Sequence, residues 1–363
     1  MTKVTWARIL AWRLRRQFVS GGDGPDAVAV VRRLCGVQAQ VASSAQLAVA
    51  VRSARPDPGE IGRALWSDRT LVRTWLMRGT LHLLPADALA DHCAALATLR
   101  FWEKGSWQRG HGVTADEIAA VIDAVPRVLT GDPLTREELV DAVVAATGDA
   151  HLREALTSGW GALLKPLSRL GELCYGPPRD GRVTFTSPAR WVPGRPGTPP
   201  SPEEAGVRVL RAFLGAHGPA TPEMFDSWLF GGVARKAVLK GWFRDLAPEL
   251  AEVETDDGMT LLIPAEHVDD LAGTAESSAV HLLPGFDQYV LAAPRSLTPL
   301  LPPELKPKVS RQAGWISPVV VHAGRVAGVW EAKGGDITLD LAAPVPREPL
   351  AEAVDRMRRL LTA

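Results

Sequence analysis

Three times along the chain, a run of helix-like periodicity gives way to two short strand-like segments that are joined by a glycine-containing turn and closed by a proline. The first pair is LVRTWLM, Arg78-Gly79 and TLHLL, ending at Pro85; the second is GELCYG, a Pro177 to Gly181 turn and RVTFTS, ending at Pro188. The third is LAEVE, Thr255 to Gly258 and MTLLI, ending at Pro264. Apolar alternation bounded by Gly and Pro reads as a hairpin. The recurrence predicts a unit of three helices and a β-wing, the winged-helix arrangement, used three times at irregular spacing.

The length of 363 residues allows two to four such bodies. The spacing divides the chain into a first unit over residues 1–110, a second over 111–197, a third over 198–275 and a strand-rich region over 276–363. In the third unit a helix is expected from Glu203 to Ala216 and a second opens at Thr221, a good N-cap, with Pro222 at its first position. Its third helix, Val233 to about Leu246, sets Arg235, Lys236, Lys240 and Arg244 beside Val238, Leu239, Trp242 and Phe243, a pattern that suits either a groove-entering or a plainly amphipathic helix. In the second unit Pro166 interrupts the helix expected from Trp160 to Leu170. VPGRPGTPPSPE reads as a semi-rigid linker with a boundary near residue 197. Beyond residue 280 the expected strands are HLLPGFDQYVLA, WISPVVV, VAGVWEA after a His322 to Arg325 turn, and DITLDLA, closed by a helix from about Pro349. The fold class is mainly α with β-wings, α+β overall.

The formal net charge is zero, yet the charge is segregated. Residues 1–110 carry 16 Lys and Arg against 8 Asp and Glu, whereas residues 201–280 carry 6 against 14. A basic, Arg-rich N-terminal third fits a phosphate-binding face, and equally a solvated surface that is Arg-rich by composition. Three widely spaced cysteines without a CxxC pair point to a reducing compartment and buried thiols, and their spacing suggests no metal. No stretch reaches the roughly 18 apolar residues of a membrane span, so a cytoplasmic protein with no membrane partner is expected. GxSxG, HExxH, the P-loop and a helix-opening GxGxxG are all missing, and no cofactor or metal set is expected. Twelve tryptophans against two tyrosines invite a base-stacking role, with core packing as the simpler account; Trp75 on the first wing and Trp107 in the GSWQRGHG loop are the two to examine.

What remains is VQAQV, residues 37–41. A helix from Pro25 to Cys35 should stop at Gly36, and another should start near Ser43 or Ser44, so the five residues form a connector. If it is extended, Gln38 and Gln40 point to one side and Val37, Ala39 and Val41 to the other. The two amides then converge on one spot; on a helix they would stand about 200° apart and share nothing. A polar edge alternating with buried apolar residues would give the same pattern. His82, between Leu81 and Leu83 on the first wing, suits a structural or phosphate-contacting role better than that of a base.

The order GVQAQV, SSAQLAVAVR and LVRTWLMRGTLHLLP, followed by LLPGFDQYVL and GRVAGVW, resembles the tandem winged-helix DNA glycosylase superfamily of bacteria, and within it the branch that unhooks interstrand crosslinks. The resemblance runs from the first helix to the C-terminal β-region. It implies three tandem winged helices around a concave basic cleft with a small C-terminal β-barrel-like domain, and places the catalytic QxQ motif on Gln38 and Gln40. It also implies a barrel hairpin near the DNA, best matched by residues 319–330 with His322 and Arg325 at the tip. Arg8, Arg15, Arg16, Arg32, Arg33, Arg73 and Arg78 would line the cleft, while Lys306, Lys308 and Arg311, in the long proline-rich loop, would touch phosphate or belong to an inert connector.

The activity implied is that of a monofunctional DNA N-glycosylase acting on N7-alkylguanine, removing monoadducts and unhooking crosslinks of the azinomycin type in repair or antibiotic self-resistance. The partner would be double-stranded DNA carrying such lesions, the protein a monomer. N7 alkylation puts a positive charge on the base and makes it a good leaving group, so little catalytic push is required. A guanine tethered to the opposite strand cannot turn fully into a closed pocket, so the site should be an open groove. The competing reading is a non-catalytic winged-helix DNA-binding protein or transcription regulator, since fold does not imply function.

Overall fold

The computed structural model describes residues 1–20, 25–157, 161–194 and 197–362. Strand β1 (Thr2–Val4) opens the chain. The helix Ala27–Arg33 is capped by Asp26, whose carboxylate accepts from the Ala29 N–H, and it ends where Cys35 and Gly36 take φ of 55° and 104°. Glycine is needed at the second position, because a Cβ there would also stand 3.2 Å from the Leu83 carbonyl oxygen. The turn delivers the chain into β2 (Val37–Gln38), which with β3 (Leu71–Trp75) and β4 (Leu81–Pro85) forms an antiparallel sheet in the order β2-β4-β3.

The second and third hairpins repeat this plan. Strands β5 (Leu134–Thr135), β6 (Cys174–Arg179) and β7 (Arg182–Thr186) lie in the order β5-β7-β6. In the third, β8 (Leu250–Thr255) and β9 (Thr260–Pro264) pair with each other, Ala220 forms a single antiparallel bridge to Leu262, and β1 closes the far edge in parallel with β8. Trp75 packs at 5.2 Å from the Tyr175 ring and 6.1 Å from Phe185, and the Thr74 hydroxyl donates to the Leu173 carbonyl, so the first sheet is joined to the second unit. Trp75 is therefore a core residue, as the simpler account has it. All three cysteines are buried and no disulfide joins them.

Several boundaries differ from expectation. The second hairpin turns at Asp180-Gly181 rather than across Pro177 to Gly181, with the two prolines taken up in an irregular stretch of β6. The GSWQRGHG segment is not a loop but contains the helix Gly105–Gly110. The helix expected from Val233 begins at Lys236, and that expected from Trp160 runs Leu164–Arg169 with Pro166 in its first turn, where a missing N–H does no harm; Trp160 itself lies outside the described residues, as does part of the proline-rich linker.

The C-terminal region holds β10 (Val280–Leu283), β11 (Val319–His322), β12 (Arg325–Lys333) and β13 (Asp336–Leu341), antiparallel in chain order. The expected HLLPGFDQYVLA strand stops at Leu283, and Asp287 caps a helical turn, Gln288–Leu291, through its carboxylate. The sheet is open among the described residues, not a barrel: four short strands cannot close around a packed interior, and the helix Arg347–Thr362 lies against β10 and β13. The largest core unites the first helix, Trp6–Arg16, with the third unit and this sheet. Among the described residues no helix is long and apolar enough to cross a membrane.

Candidate active site

The connector is extended over Val37–Ala39 and bends at Gln40. Gln38 pairs with His82 across the sheet, Val37 with Leu83, and the Ala39 N–H donates to the Leu81 carbonyl at 2.7 Å. Val37 and Ala39 face a core of Leu71, Leu83 and neighbouring aliphatic side chains. The glutamines face the other way, and both end at the same hairpin tip: the Gln38 Oε1 accepts from Arg78 Nη2 and the Gln40 Oε1 from the Leu81 N–H, each at 3.4 Å. Gln40 is exposed, whereas Gln38 is buried with 5% of its surface open. The helix after the connector starts earlier than Ser43 or Ser44 suggested, at Ala42, with Val41 at the cap position and no side-chain cap.

The wing supplies the surroundings. Arg73 Nη2 donates to the Ala39 carbonyl at 3.2 Å and its guanidinium lies 5.0 Å over the Tyr175 ring, fixing the backbone between the two glutamines. Arg78, at φ 55°, donates through Nη1 to the Trp228 carbonyl of the third unit. Burial, with the like charge of Arg295, lowers its pKa to about 10, so it stays protonated at neutral pH. His82 is fully buried; Nδ1–H donates to the Thr80 carbonyl at 2.9 Å, Nε2 has no partner among the described residues, and burial, then Arg78, pushes the pKa down to about 3. It is a neutral core imidazole out of reach of phosphate. Lys165 of the second unit adds a half-buried amine whose Cδ lies 3.9 Å from where a Gly79 Cβ would stand. Lys165 and Arg295 carry no motif, and nothing in the linear order of residues marks them.

Among the described residues Arg73, Arg78, Lys165 and Arg295 enter no ion pair, while most of the other cations expected in the cleft are engaged elsewhere. Arg15 pairs with Asp270 and Arg32 with Asp87. Arg16 donates to the Gly215 carbonyl and stacks on Trp12, so the first helix turns these cations toward the acidic third unit and not toward the glutamines. Arg8 has a buried Nε without a partner among the described residues, and Arg33 lies over Phe18. Lys308 pairs with Asp340; Lys306 and Arg311 are exposed. His322 and Arg325 flank a tip that is packed down, not raised: Tyr289 donates to the Gly324 carbonyl at 2.6 Å, and a Cβ on Gly324 would come 2.5 Å from that of Leu10. The hairpin that stands clear is β12–β13, with Lys333 exposed and open space at Gly334 and Gly335. Trp107 packs on Phe101 and His111, in keeping with core packing. No group of three or more metal-ligating side chains occurs among the described residues.

An extended strand thus aims two carboxamides at a cationic hairpin tip in the first of the helix-and-hairpin units. Residues 31–362 match the family described as DNA glycosylase AlkZ-like, and the chain belongs to that family. It is 45% identical over 329 residues, 91% of this chain and 88% of the other, to the interstrand DNA cross-link repair glycosylase of Streptomyces sahachiroi. It superposes on the solved structure of the Streptomyces sahachiroi DNA glycosylase AlkZ with a TM-score of 0.94 and 42% identity, over 99% of this chain and 98% of that one.

Proposed function

We propose that this DNA glycosylase hydrolyses the N-glycosidic bond of N7-alkylated guanine, both in monoadducts and in interstrand crosslinks, with Gln38 and Gln40 as the catalytic pair. The observation that carries this is the convergence of both amide oxygens on the Arg78–Leu81 turn, beside cations that form no ion pair. As the C1′–N9 bond breaks, its electron pair neutralises the cationic base and positive charge moves onto the sugar. Each carbonyl oxygen accepts one bond from the protein and keeps a second lone pair, which can face the sugar cation or accept from the attacking water. The water oxygen bonds to C1′ and its proton passes to solvent, since a carboxamide takes up no proton near neutral pH. A monofunctional enzyme with no Schiff-base lysine follows.

The three helix-and-hairpin units are read as winged helices over residues 1–110, 111–197 and 198–275, followed by a fourth region over 276–363. They present an open face to double-stranded DNA, on which a tethered guanine need not turn fully away from its partner strand. The protein is read as a monomer that works at the nucleoid. Arg73, Arg78 and Lys165 are the cations set around the glutamine pair, and DNA affinity should fall steeply with salt; a flat slope from low to physiological salt counts against this. The deciding experiment incubates the purified chain with duplexes carrying N7-alkylguanine, as monoadduct and as crosslink. Free base and alkali-labile sites are expected, and replacing both glutamines by Ala should lower the rate about a hundredfold or more, the scale of a lost general catalytic interaction. Unchanged rates in the double variant remove the assignment.

A further inference from the structure

Arg78 combines three features that a plain phosphate contact does not need. It stands at φ 55° ahead of Gly79 at φ 71° in a hairpin turn of the kind also seen at Asp180-Gly181 and Ala323-Gly324, which fixes where its side chain leaves the backbone. Its guanidinium is forked between two acceptors on different units, the Gln38 Oε1 at 3.4 Å and the Trp228 carbonyl. Trp228 lies in the last turn of the helix Pro222–Leu229, where carbonyls lack intrahelical partners and the helix dipole is negative, a favourable seat for a cation. Nor does a carboxylate compete for it, since Arg78 enters no ion pair among the described residues.

A carboxamide has two flip states that differ by the exchange of O and NH2, and a guanidinium carries donors only. Beside Arg78 the Gln38 amide is therefore held with its oxygen toward the cation. We infer that Arg78 is a positioning residue for base excision: braced on the third unit, it selects the flip state of the Gln38 amide and so fixes the direction of the one oxygen lone pair left for the attacking water. This rests on the reading of Gln38 as catalytic. It reassigns Arg78 from DNA contact to alignment of the reacting groups, and makes the third unit's helix end part of the site.

Single-turnover excision from a 7-methylguanine duplex tests it, using Arg78→Lys, Arg78→Ala, Gln38→Ala and the paired variants, with affinity for an undamaged duplex and melting temperature measured on each. Lysine keeps the charge but has no planar fork to join both acceptors. Arg78→Lys should lose about tenfold or more in rate, the scale of a hydrogen bond to a charged group, with affinity for undamaged DNA within about twofold. In the Gln38→Ala background the same change should have no further effect on the residual rate, because nothing remains to be positioned. The lysine variant carries the test should Arg78→Ala not fold. An equal penalty in both backgrounds, or a rate loss that follows lost DNA affinity, overturns the inference while leaving Gln38 catalytic. Full activity in Gln38→Ala alone removes both.

Discussion

The lead-in strand of the first unit and that of the second occupy the same place, each pairing with the later strand of its hairpin, yet they end differently. In the second unit Thr135 sits opposite Thr184 and at once becomes an N-cap, accepting from the Glu138 N–H in a capping box. In the third, Ala220 bridges Leu262 and the next residue, Thr221, caps through the Met224 N–H. In the first, Gln38 stands opposite a buried histidine, the chain stays extended to Ala39 and bends at Gln40, and the helix begins at Ala42 with Val41 at the cap position and no side-chain cap. What stabilises that helix lies at its other end. Arg52 donates to the Ala48 carbonyl and forms a two-pronged, fully buried ion pair with Asp287 of the C-terminal region, both contacts at 2.7 Å. The difference teaches where local consistency was given up: the first unit exchanges a cap for two amides aimed at the hairpin tip and relies on a tertiary anchor.

The contrast can be broken most severely at that anchor. Asp287→Ala should destabilise the protein by about 3–5 kcal/mol in urea unfolding, because it leaves a buried guanidinium uncompensated. Thr135→Ala, which removes a cap in the second unit, should cost only about 1 kcal/mol and leave excision unchanged. Similar costs for the two would show that the first unit has no special dependence on the anchor.

Acid should act on the first unit through His82, which the other two sheets replace by Thr184 and Leu262. Burial lowers its folded pKa from 6.5 to about 3, so the unfolded chain binds more protons below about pH 6.5. The stability held by the neutral ring is complete above that pH and falls as pH drops toward 3, by up to about 1.4 kcal/mol per unit. His217 and His281, lowered to about 3 and about 4, act in the same direction. Urea midpoints at pH 7, 6, 5 and 4 should therefore decline, and more gently in His82→Gln; an unchanged slope in that variant would place the acid sensitivity elsewhere. Excision itself should be flat from pH 6 to 8, since neither glutamine titrates; a bell-shaped profile would show that another group supplies acid–base catalysis.

The mildest change sharpens the comparison. Val41→Thr places a hydroxyl where the other units have one, on a backbone already extended at φ −111° and ψ 110°. It should raise stability by about 0.5–1 kcal/mol. No gain would mean that the local geometry, not the residue, denies the first unit its cap.

Much of this was legible in the residues. The three hairpins lie where alternating apolar residues meet Gly and Pro, and Thr221-Pro222 opens its helix as expected. The extended connector followed from the helix stop at Gly36. The cations were harder. Arg15, Arg16 and Arg32 look like cleft residues in the linear order, yet Asp270, the Gly215 carbonyl and Asp87 engage them, partners 55 or more residues away. The 319–330 hairpin forms the expected strand pair with His322 and Arg325 flanking its turn, while the packing of Leu10 and Tyr289 on that turn was set by tertiary structure.

Periodicity, turn residues and the alternation of side chains along an extended backbone act over a few residues, so the sequence by itself determined the hairpins, most helix starts and the shared face of Gln38 and Gln40. Which cations stand beside that face was decided only by tertiary structure. A guanidinium goes to whichever carboxylate or carbonyl the packing brings within reach, and folding brought Lys165 of the second unit to Gly79 of the first wing and joined Arg78 of that wing to the Trp228 carbonyl of the third unit.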